Sequence, residues 1–155
     1  MTTRSRSLSP ANAEQTARYA VRLARGLTPG DVILLTGEVG TGKTHFARAA
    51  IQSMLPFPED VPSPTFTLVQ TYETPAAEIW HADLYRLGAV QEVEELGLID
   101  AFETAICLVE WPDRLGNLAP PSALSLKITP GPTPDARTIL AEWQDDKWTD
   151  RLTAW

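Results

Sequence analysis

The feature that most constrains this chain is a glycine-rich segment, Gly37-Glu38-Val39-Gly40-Thr41-Gly42-Lys43-Thr44, which fits the pattern G-x-x-x-x-G-K-[ST]. An apolar run at residues 32–35 precedes the segment, and residues 45–55 follow it without a helix breaker. A strand that passes through such a turn into a helix brings backbone N–H groups and the positive end of the helix dipole to one point. The segment therefore predicts a phosphate-binding loop (the phosphate loop, residues 37–44).

The last two side chains of the phosphate loop predict a nucleotide bound with a metal ion. Lys43 would reach the terminal phosphates as a positive charge, and the Thr44 hydroxyl would coordinate Mg²⁺. Guanine-specific proteins with such a loop usually carry an N-K-x-D element. The sequence has no such element, and its absence favours ATP.

Two carboxylates are candidates for the metal and hydrolysis chemistry. Glu110 follows an apolar strand predicted at residues 105–109, and Asp83 ends a strand predicted at residues 78–83. In open α/β sheets, ligands bind beyond the carboxyl ends of the strands, where both acids would lie. Either acid could ligate Mg²⁺ directly or through water, while the other polarises the attacking water. His81, in the same strand as Asp83, is predicted to be a packed or hydrogen-bonded structural histidine.

A proline-rich loop is predicted after the helix that follows the phosphate loop. Four prolines between residues 56 and 64 exclude a helix interior or a central strand there. Ser63 and Thr65, at the end of this loop, could approach the γ-phosphate in the manner of a switch loop.

Hydrophobic periodicity predicts the other elements within a single domain over residues 1–155. Residues 1–8 are polar and are expected to be a flexible end, followed by a helix that begins at Ser9 or Asn12 and runs to about Gly26. A strand, the phosphate loop, a helix and further strands together predict an α/β fold with a mostly parallel sheet, flanking helices and added antiparallel strands. Further strands are predicted at residues 65–72, 123–129 and 137–143, and short helices at residues 90–95 and 145–155.

Composition and charge exclude several classes of protein. The chain has 155 residues, of which 43% are hydrophobic and 21% charged, as in ordinary globular proteins. No apolar run approaches the roughly 20 residues that span a bilayer and no signal-peptide segment is recognised, so a cytoplasmic protein without membrane contact is expected. The net charge of −7 argues against broad nucleic-acid binding by this chain alone. The single cysteine, Cys107, is expected to be a buried core residue.

Four further stretches accompany the phosphate loop: Ser63-Pro64-Thr65-Phe66-Thr67-Leu68-Val69, His81-Ala82-Asp83-Leu84-Tyr85-Arg86-Leu87, Glu94-Glu95-Leu96-Gly97-Leu98 and Ile106-Cys107-Leu108-Val109-Glu110-Trp111-Pro112. In this order and spacing the chain resembles the bacterial TsaE (YjeE-type) ATPases of tRNA threonylcarbamoyladenosine biosynthesis, over about residues 12–115. The phosphate loop is shared by a vast superfamily. The combination S-P-T-[FY]-T-L-V, H-x-D-L-Y-R and L-V-E-W-P is far more specific.

The resemblance implies a P-loop NTPase fold that binds ATP and Mg²⁺ and works within a complex. In that family the protein joins a TsaD-type transferase and a TsaB-type companion. Together they place threonylcarbamoyl on N6 of the adenosine next to the anticodon, in tRNAs that read codons beginning with A. ATP hydrolysis by the TsaE-type subunit is weak without these partners and supports turnover of the complex. The tRNA would be contacted only indirectly, in keeping with the acidic charge.

The resemblance also implies roles for single residues. Thr44 and Glu110 would ligate Mg²⁺, with Asp83 as a further candidate ligand and the acid implicated in hydrolysis. Lys43 and Thr65, the latter in a switch-like loop, would act on the terminal phosphates. The residues implied to contact the nucleotide are Glu38, Val39, Gly40, Thr41, Gly42, Lys43, Thr44 and His45 in and after the phosphate loop, Asn12 and Thr16 near the adenine, and Trp111 and Arg137.

One residue departs from the family pattern. His45 stands where the family commonly has a second threonine or serine, whose hydroxyl often contacts the α-phosphate. The hydroxyl contact is therefore not expected here, although His45 could still use its backbone N–H.

Two other functions remain open from the sequence. A small-molecule kinase could use the same phosphate loop, but many such kinases need an arginine-bearing lid. Arg86 and Arg114 are the only arginines between Arg48 and Arg137, so a dense cationic lid is not evident. A nucleotide-dependent binding switch with slow hydrolysis is the other alternative.

Overall fold

A seven-stranded mixed sheet carries the phosphate loop. The computed structural model describes residues 2–64 and 66–155. Four parallel strands form the centre of the sheet, and antiparallel strands are added at both sides. The strands are β1 (Arg4–Leu8), β2 (Val32–Thr36), β3 (Val69–Glu73), β4 (Glu78–Asp83), β5 (Ile106–Glu110), β6 (Leu124–Pro130) and β7 (Arg137–Trp143), in the spatial order β1-β7-β6-β2-β5-β4-β3.

Helices cover both faces of this sheet, as the sequence predicts. They are α1 (Ala13–Ala24), α2 (Lys43–Met54), α3 (Gln91–Glu95), α4 (Leu98–Thr104) and α5 (Asp146–Arg151), with a 3₁₀ segment at Pro112–Leu118. Ile33 and Leu35 belong to the core cluster under α1 and α2, whereas Val32 and Leu34 belong to the cluster under α3 and α4. Successive side chains of a strand point to opposite faces, so the unbroken apolar run of β2 needs a helix layer on each side. Among the described residues, no helix is long and apolar enough to cross a membrane.

The parallel register brings the ends of three strands to one edge of the sheet. Leu35 of β2 lies opposite Glu110 of β5, and Asp83 of β4 lies opposite Glu110 on the other side. The phosphate loop leaves β2 at this same edge. The two predicted acids therefore meet beside the phosphate loop, as expected for the carboxyl ends of parallel strands.

The N-terminal residues differ from the sequence prediction. Residues 1–8 were expected to be a flexible end, but Arg4–Leu8 forms the edge strand β1, paired antiparallel with β7. Arg4 and Arg6 both reach the C-terminal segment, where Arg6 donates to the Trp155 carbonyl at 2.5 Å. Anchoring by polar side chains gives no hydrophobic periodicity, which is why the sequence pattern does not reveal this strand.

Two elements around the sheet also differ from the prediction. The strand expected at residues 65–72 is β3, which begins only at Val69. The strand starts late because Leu68 has a left-handed backbone (φ 66°) and belongs to a turn, in which its N–H donates to the Pro64 carbonyl. Helix α4, a buried element that begins after Gly97, was not predicted. Its seven residues are too few for a helical period to stand out from a short apolar run.

The C-terminal tryptophans lie in the core, and so does the single cysteine, as predicted for the cysteine. Trp143, Trp148 and Trp155 pack in the cluster under α1 and α2, and Trp148 Nε1 donates to the Ser122 carbonyl at 2.7 Å. Cys107 is fully buried, and burial raises the pKa of its thiol to about 12. A thiol that does not ionise near neutral pH has no nucleophilic role, so Cys107 is a core residue.

Candidate functional site

The phosphate loop has the backbone conformation that its glycines predict. Gly40 and Gly42 have left-handed φ values of 84° and 105°, and a Cβ added to either would meet no atom within 4 Å. At these positions the backbone conformation rather than crowding favours glycine. Gly37 is different, because its added Cβ would lie 2.5 Å from the Ile128 carbonyl oxygen and 2.6 Å from Thr41 Oγ1. The base of the loop is thus packed directly against β6.

Replacement of Gly37 by alanine should lower the free energy of unfolding by about 1–3 kcal/mol, the usual cost of overpacking. The Ile128 carbonyl is part of the β6 backbone and cannot move aside as a flexible side chain would. Denaturant unfolding measures the effect. Gly26→Ala is the matched control, since its Cβ would meet only the Leu23 carbonyl, at 3.9 Å. Equal midpoints for the two variants would contradict the close packing of the loop on β6.

Lys43 lies under the phosphate loop rather than on the surface. Its side chain is buried, and Nζ donates to the carbonyls of Gly37 (2.6 Å) and Glu38 (3.0 Å). Nζ also lies 4.5 Å from the centre of the Trp111 ring. Burial lowers the pKa of the Lys43 ammonium, although nearby carboxylates, chiefly Glu110, act in the opposite direction. The ammonium is therefore desolvated, which strengthens its interaction with any anion that enters the loop.

Glu110 connects the phosphate loop to β4. Thr44 Oγ1 donates to Glu110 Oε1 at 2.7 Å, and His81 Nε2 lies 2.7 Å from Glu110 Oε2. Since an ionised carboxylate only accepts hydrogen bonds, His81 donates through Nε2–H. Glu110 and His81 are both buried, and Nδ1 of His81 has no hydrogen-bond partner among the described residues. His81 is thus the hydrogen-bonded histidine that was predicted, and its partner is a candidate metal ligand.

Asp83 is the second acid at this edge of the sheet. The carboxyl is buried, and its Oδ1 accepts the backbone N–H of Tyr85 at 3.0 Å. Burial has the largest influence and raises the pKa of Asp83, while the Tyr85 N–H works against it. A carboxyl with a raised pKa in a cleft is a candidate for accepting a proton.

Two aromatic rings border the acids. Trp111 follows β5 in a left-handed conformation (φ 59°), which is uncommon for a residue with a side chain and directs its ring towards Lys43. The Tyr85 ring lies 4.8 Å from the Trp111 ring at an angle of 49°. Tyr85 was not predicted as a site residue from the sequence. Its position two residues after Asp83, in the H-x-D-L-Y-R stretch, was the available signal.

These groups surround one cleft of about 430 Å³, a size typical of sites for small ligands. Its walls combine the phosphate loop, the start of α2, the proline-rich loop and the ends of β4 and β5. The lining residues are Val39, Gly40, Gly42, Lys43, Thr44, His45, Ser63, Asp83, Tyr85, Glu110 and Trp111. Most of the residues named from the sequence are therefore brought together here. Thr65 lies outside the described residues, and its role stays a prediction.

The residues implied near the adenine lie beside the cleft rather than in its lining. Asn12 caps α1 by accepting the Gln15 N–H at 2.9 Å, and Thr16 is buried in the first turn of that helix. His45 connects the two helices, since its Nε2 donates to the Ala13 carbonyl at 2.9 Å. The imidazole thus bridges the starts of α1 and α2. Contacts of Asn12 and Thr16 with a nucleotide stay predictions.

Arg137 lies behind the phosphate loop. It is the first residue of β7, and its Nε donates to the Thr41 carbonyl at 2.9 Å. Arg137 does not belong to the cleft lining, and its side chain contacts the loop itself. The direct contact of Arg137 with a nucleotide that the resemblance implies stays a prediction.

The fold and the cleft together define the P-loop class of proteins. The defining features are a parallel strand, a glycine-rich loop with a buried lysine, and a threonine–carboxylate contact at the carboxyl edge of the sheet. The family described as "Threonylcarbamoyl adenosine biosynthesis protein TsaE" matches residues 10–146. The chain belongs to this TsaE family, as the sequence resemblance predicts.

Individual relatives agree with this membership. The tRNA threonylcarbamoyladenosine biosynthesis protein TsaE of Rickettsia felis is 38% identical over 117 residues, which cover 76% of this chain and 68% of that protein. The Bacillus subtilis protein of the same name is 36% identical over 118 residues, covering 76% and 73%. The crystal structure of Bacillus subtilis YdiB superposes with a TM-score of 0.81 at 25% identity, covering 97% of this chain and 93% of that one.

Proposed function

We propose that this chain is the ATP-binding and ATP-hydrolysing subunit of a complex that makes threonylcarbamoyladenosine in tRNA. The observation that carries the proposal is the 2.7 Å hydrogen bond from the Thr44 hydroxyl to the Glu110 carboxylate. It joins the last residue of the phosphate loop to the end of β5, beside the buried Lys43. These are the protein groups that a metal-bound nucleoside triphosphate requires. Membership of the TsaE family supports the role in tRNA modification.

The oxygen donors at the cleft fit a Mg²⁺ ion that is held partly by phosphate. Among the described residues, no group of three or more His, Cys, Asp or Glu side chains could hold a metal ion alone. Mg²⁺ commonly uses only one or two carboxylates and takes its other ligands from substrate phosphates and water. Thr44 and Glu110 are the proposed direct ligands, and Asp83 is the proposed ligand through water. Bound there, Mg²⁺ would neutralise charge on the phosphates.

The remaining groups of the cleft suit the triphosphate of ATP. The left-handed turns at Gly40 and Gly42 let successive N–H groups converge on a phosphate, and the start of α2 adds its unpaired N–H groups. Lys43 supplies a desolvated positive charge. The Trp111 and Tyr85 rings line the cleft beside Lys43 and would reduce access of water to the phosphates.

Asp83 is the proposed acceptor of the proton from the attacking water. Only its Oδ1 is hydrogen-bonded among the described residues, to the Tyr85 N–H. The raised pKa of Asp83 makes it a better proton acceptor than an exposed carboxylate would be. Glu110 is less suited to this task, because both of its oxygens are already engaged by Thr44 and His81.

Replacement of Asp83 by asparagine should slow phosphate release from ATP by about 100-fold or more, as expected for loss of a general base. The free energy of unfolding should stay the same or rise. The pKa of this carboxyl is raised on folding, so its ionised form costs stability above that pKa, and asparagine removes the cost. Single-turnover hydrolysis and thermal unfolding of the two proteins measure both effects. Wild-type hydrolysis by the folded variant would reject Asp83 as the base.

The proposed partners are a TsaD-type transferase and a TsaB-type companion. The relatives are named for tRNA threonylcarbamoyladenosine biosynthesis, but the net charge of −7 suits a subunit that leaves the tRNA to other chains. Hydrolysis by this chain would support turnover of the complex and would be slow without its partners. A cytoplasmic location belongs to the same proposal.

Calorimetric titration with nucleotides tests the binding part of the proposal. ATP should bind in the presence of Mg²⁺ at least about tenfold more tightly than in its absence, since the metal offsets phosphate charge. GTP should bind more weakly than ATP. Equal affinities for ATP with and without Mg²⁺ would reject the metal site, and failure of ATP to bind at all would reject the proposed function.

A further inference from the structure

The back of the phosphate loop is held by a cation from a distant part of the chain. Arg137 Nε donates to the Thr41 carbonyl at 2.9 Å, and Nη1 donates at 2.8 Å to the carbonyls of Pro134 and Ala136. The backbone N–H of Arg137 donates to the Pro10 carbonyl at 3.0 Å. The guanidinium is thus fixed on the turn between β6 and β7, and its Nε–H is directed at the loop.

The charge of Arg137 is not neutralised by a nearby acid. Among the described residues, the ion pairs involve other arginines, Lys147 and His81, and none involves Arg137. Within residues 2–64 and 66–155, the side chain of Arg137 makes three hydrogen bonds, and all of them go to main-chain carbonyls. Its positive field therefore acts on the phosphate loop without compensation by a carboxylate at contact distance.

The contact with Thr41 also determines where the next N–H group points. No peptide bond among the described residues is cis, and in a trans peptide the C=O of one residue and the N–H of the next point in opposite directions. The Thr41 carbonyl points back to Arg137, so the Gly42 N–H points to the other side. That side is the cleft, since Gly42 lines it whereas Thr41 is buried and does not.

We propose that Arg137 is a positioning residue of the phosphate-binding site. By holding the Thr41 carbonyl from behind, it directs the Gly42 N–H at the bound phosphate and adds positive charge to that peptide group. Arginine suits this task because its rigid fork can hold the turn and the loop at the same time. The inference rests on the proposed function, in that the cleft must take the phosphates of a nucleotide.

The test separates phosphate binding from binding of the nucleoside. Affinities for ATP, inorganic pyrophosphate and adenosine are measured for the wild type, Arg137→Met and the control Arg114→Met, which alters an exposed arginine outside the cleft. Arg137→Met should weaken ATP and pyrophosphate binding about tenfold, in line with loss of a charge-assisted hydrogen bond, and should change adenosine binding less than twofold. Arg114→Met should match the wild type for all three.

The other outcomes each reject a defined claim. If Arg137→Met binds pyrophosphate with wild-type affinity, Arg137 does not position the phosphate site. The same holds if its affinity for adenosine falls as much as its affinity for pyrophosphate. If Arg137→Met does not fold, Arg137→Gln decides, because it retains an uncharged donor for the turn and should still bind pyrophosphate severalfold more weakly. Wild-type affinity in a folded Arg137→Gln would overturn the inference. Failure of the wild-type chain itself to bind ATP and pyrophosphate would reject the proposed function and this inference with it.

Discussion

Replacing Lys43 by methionine should weaken the binding of ATP by about 100-fold, at the upper end of what a hydrogen-bonded charge contributes. Methionine retains most of the length of the side chain but removes the only ammonium that lines the cleft among the described residues. Because Lys43 is buried under the phosphate loop, its charge acts on phosphate through a medium with little screening. Calorimetric titration with ATP and Mg²⁺ measures the change.

The control for this prediction is Lys127→Met. Lys127 is exposed on β6 and does not line the cleft, so its loss removes the same charge without touching the site. Thermal unfolding of both variants establishes that they are folded, since removal of Lys43 also removes donors to the Gly37 and Glu38 carbonyls. An unchanged affinity for ATP in Lys43→Met would show that residues 37–44 do not hold the triphosphate.

Replacing Glu110 by glutamine should abolish the Mg²⁺-dependent part of ATP binding and slow hydrolysis by about 100-fold or more, as expected for loss of charge neutralisation at the phosphates. Glutamine has the shape of glutamate, but its neutral amide is a poor ligand for Mg²⁺. It can accept a hydrogen bond from Thr44 or from His81 through its one oxygen, and its NH₂ group then faces the other donor. Titration of ATP over a range of Mg²⁺ concentrations measures the loss.

Glu142→Gln is the matched control for the change at Glu110. Glu142 lies in β7 with an exposed side chain, so the variant loses one negative charge away from the cleft. It should keep the Mg²⁺ dependence of the wild type. If Glu110→Gln also keeps that dependence, then Glu110 is not a metal ligand, and its contact with Thr44 serves the fold alone.

The local parts of the site were predictable from the sequence. The phosphate loop is continuous in the chain, and its glycine spacing reflects the backbone that a phosphate requires, so residues 37–44 could be recognised directly. Glu110 was recognisable because an apolar run that ends in a carboxylate predicts an acid at the carboxyl edge of a parallel sheet. These predictions depended on short stretches whose local pattern and chemistry agree.

The contacts between distant segments were not predictable in the same way. The His81–Glu110 hydrogen bond depends on the register of β4 on β5, and the Arg137–Thr41 contact joins residues 96 positions apart. A single sequence carries no signal for which side chains meet across such distances. Strand β1 was missed for a related reason, because its arginines are anchored by the C-terminal segment rather than by an apolar face.

The central claim is that this chain hydrolyses ATP and does so as part of a tRNA-modifying complex. Its most direct test is phosphate release from ATP with Mg²⁺, measured for the chain alone and with a TsaD-type transferase, a TsaB-type companion and tRNA. We expect slow release by the chain alone and faster release in the full mixture, with release by Asp83→Asn slower by about 100-fold or more in both. No release under either condition, or transfer of the phosphate to a small-molecule acceptor instead of water, would contradict the claim.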